Sequence, residues 1–192
     1  MFASRASLAL IQITLGKPDE ALRLSNEALS RARQLNLADV LALAIQWAGS
    51  VRLYRREPEA AHELAEALIA LAKEHGFQEL PLAGRALRGW AMTKLGQTEE
   101  GVAKLEAAAA YSPQSAAPVQ SILAEVYARV GRTDEALAIV DEELARVERS
   151  GARLEEARLY RVKGEAILMH DSSTTDDAEK RFSKGYRNRE RH

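Results

Sequence analysis

Apolar positions recur along this chain with a helical period, and the pattern is broken at intervals by one short polar corner. The corner reads LGKPDEAL from Leu15, LGQTEEGV from Leu95 and VGRTDEAL from Val130, with a degenerate copy, RREPEAAH, from Arg55. Gly16, Gly96 and Gly131 supply the left-handed backbone conformation that ends one helix. Pro18 and Pro58 suit the first turn of the next, where no amide hydrogen is missed. Thr98 and Thr133 are expected as its N-caps. Asp19 with Glu20, Glu99 with Glu100, and Asp134 with Glu135 place negative charge at the positive end of the helix dipole. The small residues Ala21, Ala61, Gly101 and Ala136 then fall where two helices pack too closely for a larger side chain. Their spacings are 40, 40 and 35 residues, and a fifth copy is expected at Ala178, after the polar turn HDSSTTDD.

A unit written several times at such a spacing predicts stacked helix pairs with a continuous core. The chain divides into repeats 1-36, 37-76, 77-114, 115-151 and a partial 152-192, read together as one domain, 1-192. The fourth repeat is the clearest, with helices expected from Ala116 to Val130 and from Thr133 to Arg149. Leu123, Ala124, Tyr127 and Val130 mark one apolar face, and Leu137, Val140, Leu144 and Val147 mark the other. Gly76 and Gly151 end second helices, Asn36 does so in the first repeat, and Pro113 follows the third. The first helix carries Leu8, Leu10, Ile11, Ile13 and Leu15 with no repeat before it, whereas repeat arrays end in polar caps. It is expected to pack on a second copy, making a homodimer, or on a preceding domain. The basic tail KGYRNRERH is expected to fray beyond Arg187.

Composition agrees with helix. Ala, Leu, Glu and Arg dominate, apolar residues make up 46% and aromatics only 5%, so the core is expected to be Leu and Ala. A formal charge of −1 gives no global field to attract nucleic acid. The absence of cysteine removes disulfides, thiolate nucleophiles and Cys-based zinc sites. No stretch approaches the roughly 20 apolar residues that span a bilayer, and no cleavage site follows the apolar start, so a cytoplasmic location away from membranes is expected.

The run LAEVYARVGRTDEAL resembles the tetratricopeptide repeat (TPR), matching its Leu, small residue, aromatic, Gly and Ala at Leu123, Ala124, Tyr127, Gly131 and Ala136. Repeats near 40 residues look like a longer bacterial variant. RGWAMTKLGQTEEG, LAEVYARVGRTDEAL and LYRVKGEAIL are similar to the TPR tails that follow a cyclase or ATPase domain in bacterial signalling proteins. The chain holds neither catalytic domain, so neither activity carries over. The resemblance implies an all-α, right-handed superhelix of antiparallel helix pairs. Its expected function is a protein-interaction scaffold or regulatory domain that binds a partner segment in a concave groove. The alternative it implies is a ligand-sensing regulatory subunit of a signalling ATPase or cyclase-like system.

Candidate chemistry is sparse. Glu59 and His62 have the Glu-x-x-His spacing of di-iron bundles, but no second copy exists, and Glu59, His62, Glu63 and Glu66 read as a solvated acidic face. Neither a phosphate-cradling glycine loop nor a nucleophile elbow is present, so no catalytic residue, metal or cofactor is expected. Trp47 fits a core stripe with Ala44, Ala48 and Val51, while Trp90 fits either a core stripe or an anchor in the groove.

Charge divides between the helix types. First helices with their leading linkers hold 12 Lys/Arg against 6 Asp/Glu, and the remainder holds 15 against 22. In a TPR array the first helices line the concave surface, so a basic groove that takes an acidic or mixed protein segment is expected. Its lining residues are expected to be Gln46, Tyr54, Trp90, Lys94, Glu125, Arg129, Arg158 and Arg161, with Glu142 and Glu143 facing outward on a second helix. The competing expectation is that arginines such as Arg52, Arg85 and Arg88 pair with acids on neighbouring helices.

Overall fold

A computed structural model describes residues 2–77, 80–111, 117–151 and 155–170. The described residues form nine helices: α1 (Phe2–Thr14), α2 (Pro18–Leu35), α3 (Ala38–Arg55), α4 (Pro58–His75), α5 (Leu80–Lys94), α6 (Thr98–Tyr111), α7 (Ala117–Arg129), α8 (Thr133–Ser150) and α9 (Glu156–His170). In the fourth repeat the two helices match the sequence expectation to within a residue at each end. The chain divides into two compact units, Met1–Ala108 and Ala109–His192. Ala178, Pro113 and the tail beyond Arg187 lie outside the described residues.

The corner between paired helices is the same object each time. At the first, the amide of Gly16 donates to the carbonyl of Ile13 and that of Lys17 to Gln12. At the fourth, Gly131 donates to Ala128 and Arg132 to Tyr127. These crossed bonds satisfy carbonyls that the helix end would leave orphaned, and they require the left-handed residue between them. Gly16 and Gly131 supply it at φ 73° and 82°. The degenerate second corner keeps the same bonds, Arg56 to Leu53 and Glu57 to Arg52, with Arg56 itself held at φ 60°.

The incoming helix then starts the same way. The amides of Ala21, Ala61, Gly101 and Ala136 donate to the carbonyls of Lys17, Glu57, Gln97 and Arg132. Thr133 is therefore the first residue of α8 and Arg132 its N-cap, without a side-chain capping bond. The expected threonine cap sits one residue inside the helix, and α6 likewise begins at Thr98. Pro18 and Pro58 stand in the first turns of α2 and α4, as their fixed φ favours.

Packing follows the small residues. Ala21, Ala61 and Ala136 are fully buried. At the equivalent Gly101, an added Cβ would lie 2.7 Å from the carbonyl oxygen of Gly89 and 2.9 Å from the amide nitrogen of Thr93, so α5 and α6 touch backbone to backbone. In the first unit, Ala9, Leu10, Ala21, Leu24 and Val51 form one core cluster, with half-buried Trp47 and Tyr54 packed on it. Leu29, Ala32, Ala42, Ile45, Ala48 and Leu68 form another. In the second unit, Ile122, Leu123, Val126, Val140, Leu159 and Val162 are buried where α7, α8 and α9 meet.

Candidate functional site

In the second unit the apolar core is interrupted by charge. Ser121, Glu125 and Arg129 follow one another at four-residue intervals, which puts them on one ridge of α7. Glu155, just before α9, and Arg158, Arg161 and Glu165 within it form the facing ridge. The ridges interlock around Glu125, which is 2% exposed. Its Oε2 accepts from Arg161 Nη2 at 2.8 Å and from Arg158 Nη2 at 3.2 Å. Its Oε1 lies 3.7 Å from Arg129 Nε. Arg161 also donates to Glu165 at 2.5 Å, and Ser121 donates to Glu155 at 2.8 Å. Arg158 is 9% exposed and sits 3.7 Å from Glu155. A carboxylate this deep is tolerated because several guanidiniums replace its lost water. At the rim the side chains of Arg129 and Arg161 keep 43% and 28% of their surface open.

Glu125, Arg129, Arg158 and Arg161 are thus brought together. The other four expected residues lie in the first unit. Gln46 and Tyr54 are half-buried on α3, where the Gln46 carbonyl accepts the Ser50 hydroxyl and Tyr54 packs on the core. Trp90 is 1% exposed, so its ring fills the core of that unit. Its indole Nε1 is enclosed without a hydrogen-bond partner among the described residues. Lys94 sits with its ammonium 5.8 Å from the Trp90 ring centroid.

Pairing within the fold takes up much of the basic charge. Arg52 and Arg55 both grip Glu57, at 2.6 and 2.7 Å, and Arg55 also reaches Asp19 at 2.7 Å. Burial opposes ionisation of Glu57, but the two arginines outweigh it and hold its carboxyl below the ordinary glutamate value. Arg88 Nε lies 2.8 Å from Glu66, whereas Arg85 is exposed. His62 lies 3.9 Å from that same Glu66, and no group of three or more metal-ligating side chains assembles among the described residues. None of the described helices is long and apolar enough to cross a membrane.

Glu143 corrects one expectation. It does not face outward but is buried, 2.9 Å from Arg146 on the next turn of α8. Burial pushes its carboxyl above the ordinary value, which the Arg146 charge opposes and the neighbouring Glu142 and Glu155 charges reinforce. Glu142 is exposed. Ser121 and Glu155 were not among the expected site residues. Their signal was present in the spacing, since Ser121 precedes Glu125 by one turn and Glu155 precedes Arg158 likewise.

No protein-family profile matches the sequence, and neither does any curated protein. Solved structures do. PlcR of Bacillus thuringiensis, in complex with the peptide PapR7 and DNA, is similar at a TM-score of 0.74 and 13% identity, over 98% of this chain and 70% of that one. The TPR protein TTC0263 of Thermus thermophilus is similar at 0.64 and 23%, over 96% and 90%. The TPR-like repeats of a putative kinesin light chain from Podosopora anserina follow at 0.57 and 16%, over 99% and 97%. The fold is TPR-like. At these identities the likeness fixes the arrangement of helix pairs in the TPR-like manner and leaves the chemistry to the residues above.

Proposed function

We propose that this TPR-like chain is a protein-interaction module, a scaffold or regulatory domain that holds a segment of another protein against its first helices. The observation that carries this reading is the pair of partly open guanidiniums, Arg129 and Arg161, that converge on buried Glu125. Arginine donors suit carboxylates. The segment is therefore acidic or mixed, and its encounter is steered by charge. PlcR, similar in fold, is seen with a peptide, which supports a peptide segment as the occupant. A second copy of the chain is a further partner, through the apolar face of α1, where Leu8 and Ile11 are exposed and exposed Leu15 follows its last residue.

A second reading is a ligand-sensing regulatory subunit of a signalling ATPase or cyclase-like system; the peptide seen with PlcR bears on its ligand-sensing part alone. In that case a small molecule or short peptide, and not a protein surface, changes how the chain engages a separate catalytic protein.

The test starts with capture of the partner from native lysate at low salt, followed by binding at two salt concentrations. Attraction between exposed charges is screened within about 8–10 Å at ordinary ionic strength, so affinity falls as salt rises. Replacing Arg129 with Glu slows association about tenfold, and replacing exposed Glu142 with Gln leaves it unchanged. Salt-independent binding, or equal losses in both variants, defeats the acidic-segment reading.

A further inference from the structure

Among the described residues the arginine ridge of the second unit balances its charges. Three guanidiniums, Arg129, Arg158 and Arg161, face three carboxylates, Glu125, Glu155 and Glu165. An acidic ligand approaching Arg129 and Arg161 therefore meets groups that already hold partners, and Glu125 is the partner common to both.

The position of Glu125 shows that packing does not require it. Counted from the corner residue at 16, 56, 96 and 131, its place is taken by Leu10, Ser50 and Trp90 in the other repeats. Leu10 and Trp90 are buried apolar residues there, so a hydrophobic side chain meets the needs of the fold at this point. A buried carboxylate costs desolvation that a leucine does not, and replacing such ion clusters with apolar groups is often neutral or stabilising. The charge is therefore tied to the guanidiniums that face it, those of Arg158, Arg161 and Arg129.

The ties are also unequal. Arg158 and Arg161 approach Glu125 Oε2 within hydrogen-bond distance, whereas Arg129 lies 3.7 Å from Oε1, beyond it, and is the most exposed of the three. Arg129 is held by charge alone, so it turns most readily to a second carboxylate. Arg161 follows if it exchanges Glu125 or the half-buried Glu165 for the newcomer.

We propose that Glu125 is a built-in competitor of the ligand: it occupies the arginine ridge as an acidic side chain of a bound segment would, and so sets how strongly acidic segments are held. The inference rests on the acidic-segment reading above and deepens it. It makes Glu125 a specificity-determining residue that acts through Arg129 and Arg161 without touching the ligand. The ridge takes a carboxylate-rich peptide weakly and selectively, and removing the internal acid makes it a stronger, less selective anion site.

The probe is a fluorescently labelled hexaglutamate peptide, with hexalysine as its counterpart, titrated by anisotropy into the full chain at low and at moderate salt. The wild-type chain binds hexaglutamate weakly and loses it as salt rises. Glu125→Gln tightens that binding about tenfold without strengthening hexalysine, and Arg129→Glu abolishes the gain. Glu142→Gln, which removes one negative charge from an exposed site on α8, gives no comparable gain and so separates the ridge from net charge. Glu165→Gln, which frees one arm of Arg161, tightens binding about threefold and decides the matter if Glu125→Gln fails to fold. The proposal is overturned if the wild type binds with salt dependence but the folded Glu125→Gln chain shows no gain, or if Glu142→Gln gains equally. Wild-type binding of hexaglutamate no better than hexalysine overturns the acidic-segment reading itself.

Discussion

Arg56 shows how a repeat tolerates a poor residue at a position the backbone dictates. A left-handed conformation costs a non-glycine residue roughly 1–2 kcal/mol, yet the corner bonds and packed helices on either side hold Arg56 there. Glycine gives back part of the gain through its freer unfolded chain, so Arg56→Gly is expected to stabilise by about 0.5–1 kcal/mol in urea unfolding. A loss of stability would mean that the arginine side chain contributes more than its backbone costs. Glu143 makes a second prediction at this scale. Its raised carboxyl pKa means that the folded chain binds that proton more tightly than the unfolded one. The associated stability is present below about pH 4, near the unfolded glutamate value, and is lost as pH rises through the raised value. Glu143→Gln removes this dependence while keeping an acceptor for Arg146. The stability of the variant relative to wild type is therefore expected to increase from acid to neutral pH. A difference that stays flat, or runs the other way, contradicts the assignment.

The helix pair is the scale at which the sequence was most legible. Glycine, proline and the paired acids at each corner act locally, through dihedral angles and dipoles, so helix ends follow from residue identity with little help from the rest of the fold. Where a signal has two local solutions the helix start is open by one residue, as at Thr133, because a threonine serves as N-cap or as first helical residue alike. The small residue five positions after the corner residue is fully buried at Ala21, Ala61 and Ala136, and at Gly101 there is no room for a Cβ. Ala136→Leu is expected to overpack α7 against α8 and cost about 1–3 kcal/mol. Gly101→Ala is the finer test. Alanine favours helix over glycine by about 1 kcal/mol, but its Cβ meets backbone atoms on α5 below 3 Å, which only a helix shift can relieve. The clash is expected to win, with a net loss of about 1–2 kcal/mol by urea unfolding. Unchanged stability in both variants would place the close contact elsewhere.

On the scale of the whole molecule, charge was legible as a count but not as a contact. The excess of basic residues on the first helices is real, yet Arg55, Arg88, Arg158 and Arg161 reach acids on other helices, and Arg52 reaches Glu57 at the corner that ends its own. Such pairings depend on which side of a helix turns inward, and one residue of register exchanges the two sides, which is also why Trp90 read equally well as core or as anchor. The α1 face poses the corresponding question for apolar groups. Counted from the corner, Ile11 is equivalent to Val51, Ala91 and Val126, all fully or almost fully buried, yet Ile11 is 48% exposed. Leu8 and Leu15 are exposed beside it, about one turn away on either side. This face has the chemistry of a surface on which another helix packs, and large apolar patches of that kind draw partners. A second copy offers an identical patch, and a two-fold arrangement lets each cover the other. Sedimentation at increasing concentration is expected to show a monomer–dimer equilibrium for the wild-type chain. Ile11→Glu should shift it towards monomer by about tenfold or more in dissociation constant, since a charge would be buried against apolar groups. Its circular dichroism should remain helical, because half of that side chain already faces water. Wild-type chain that stays monomeric at the highest concentration, or an Ile11→Glu chain that associates as before, removes α1 as the dimer face.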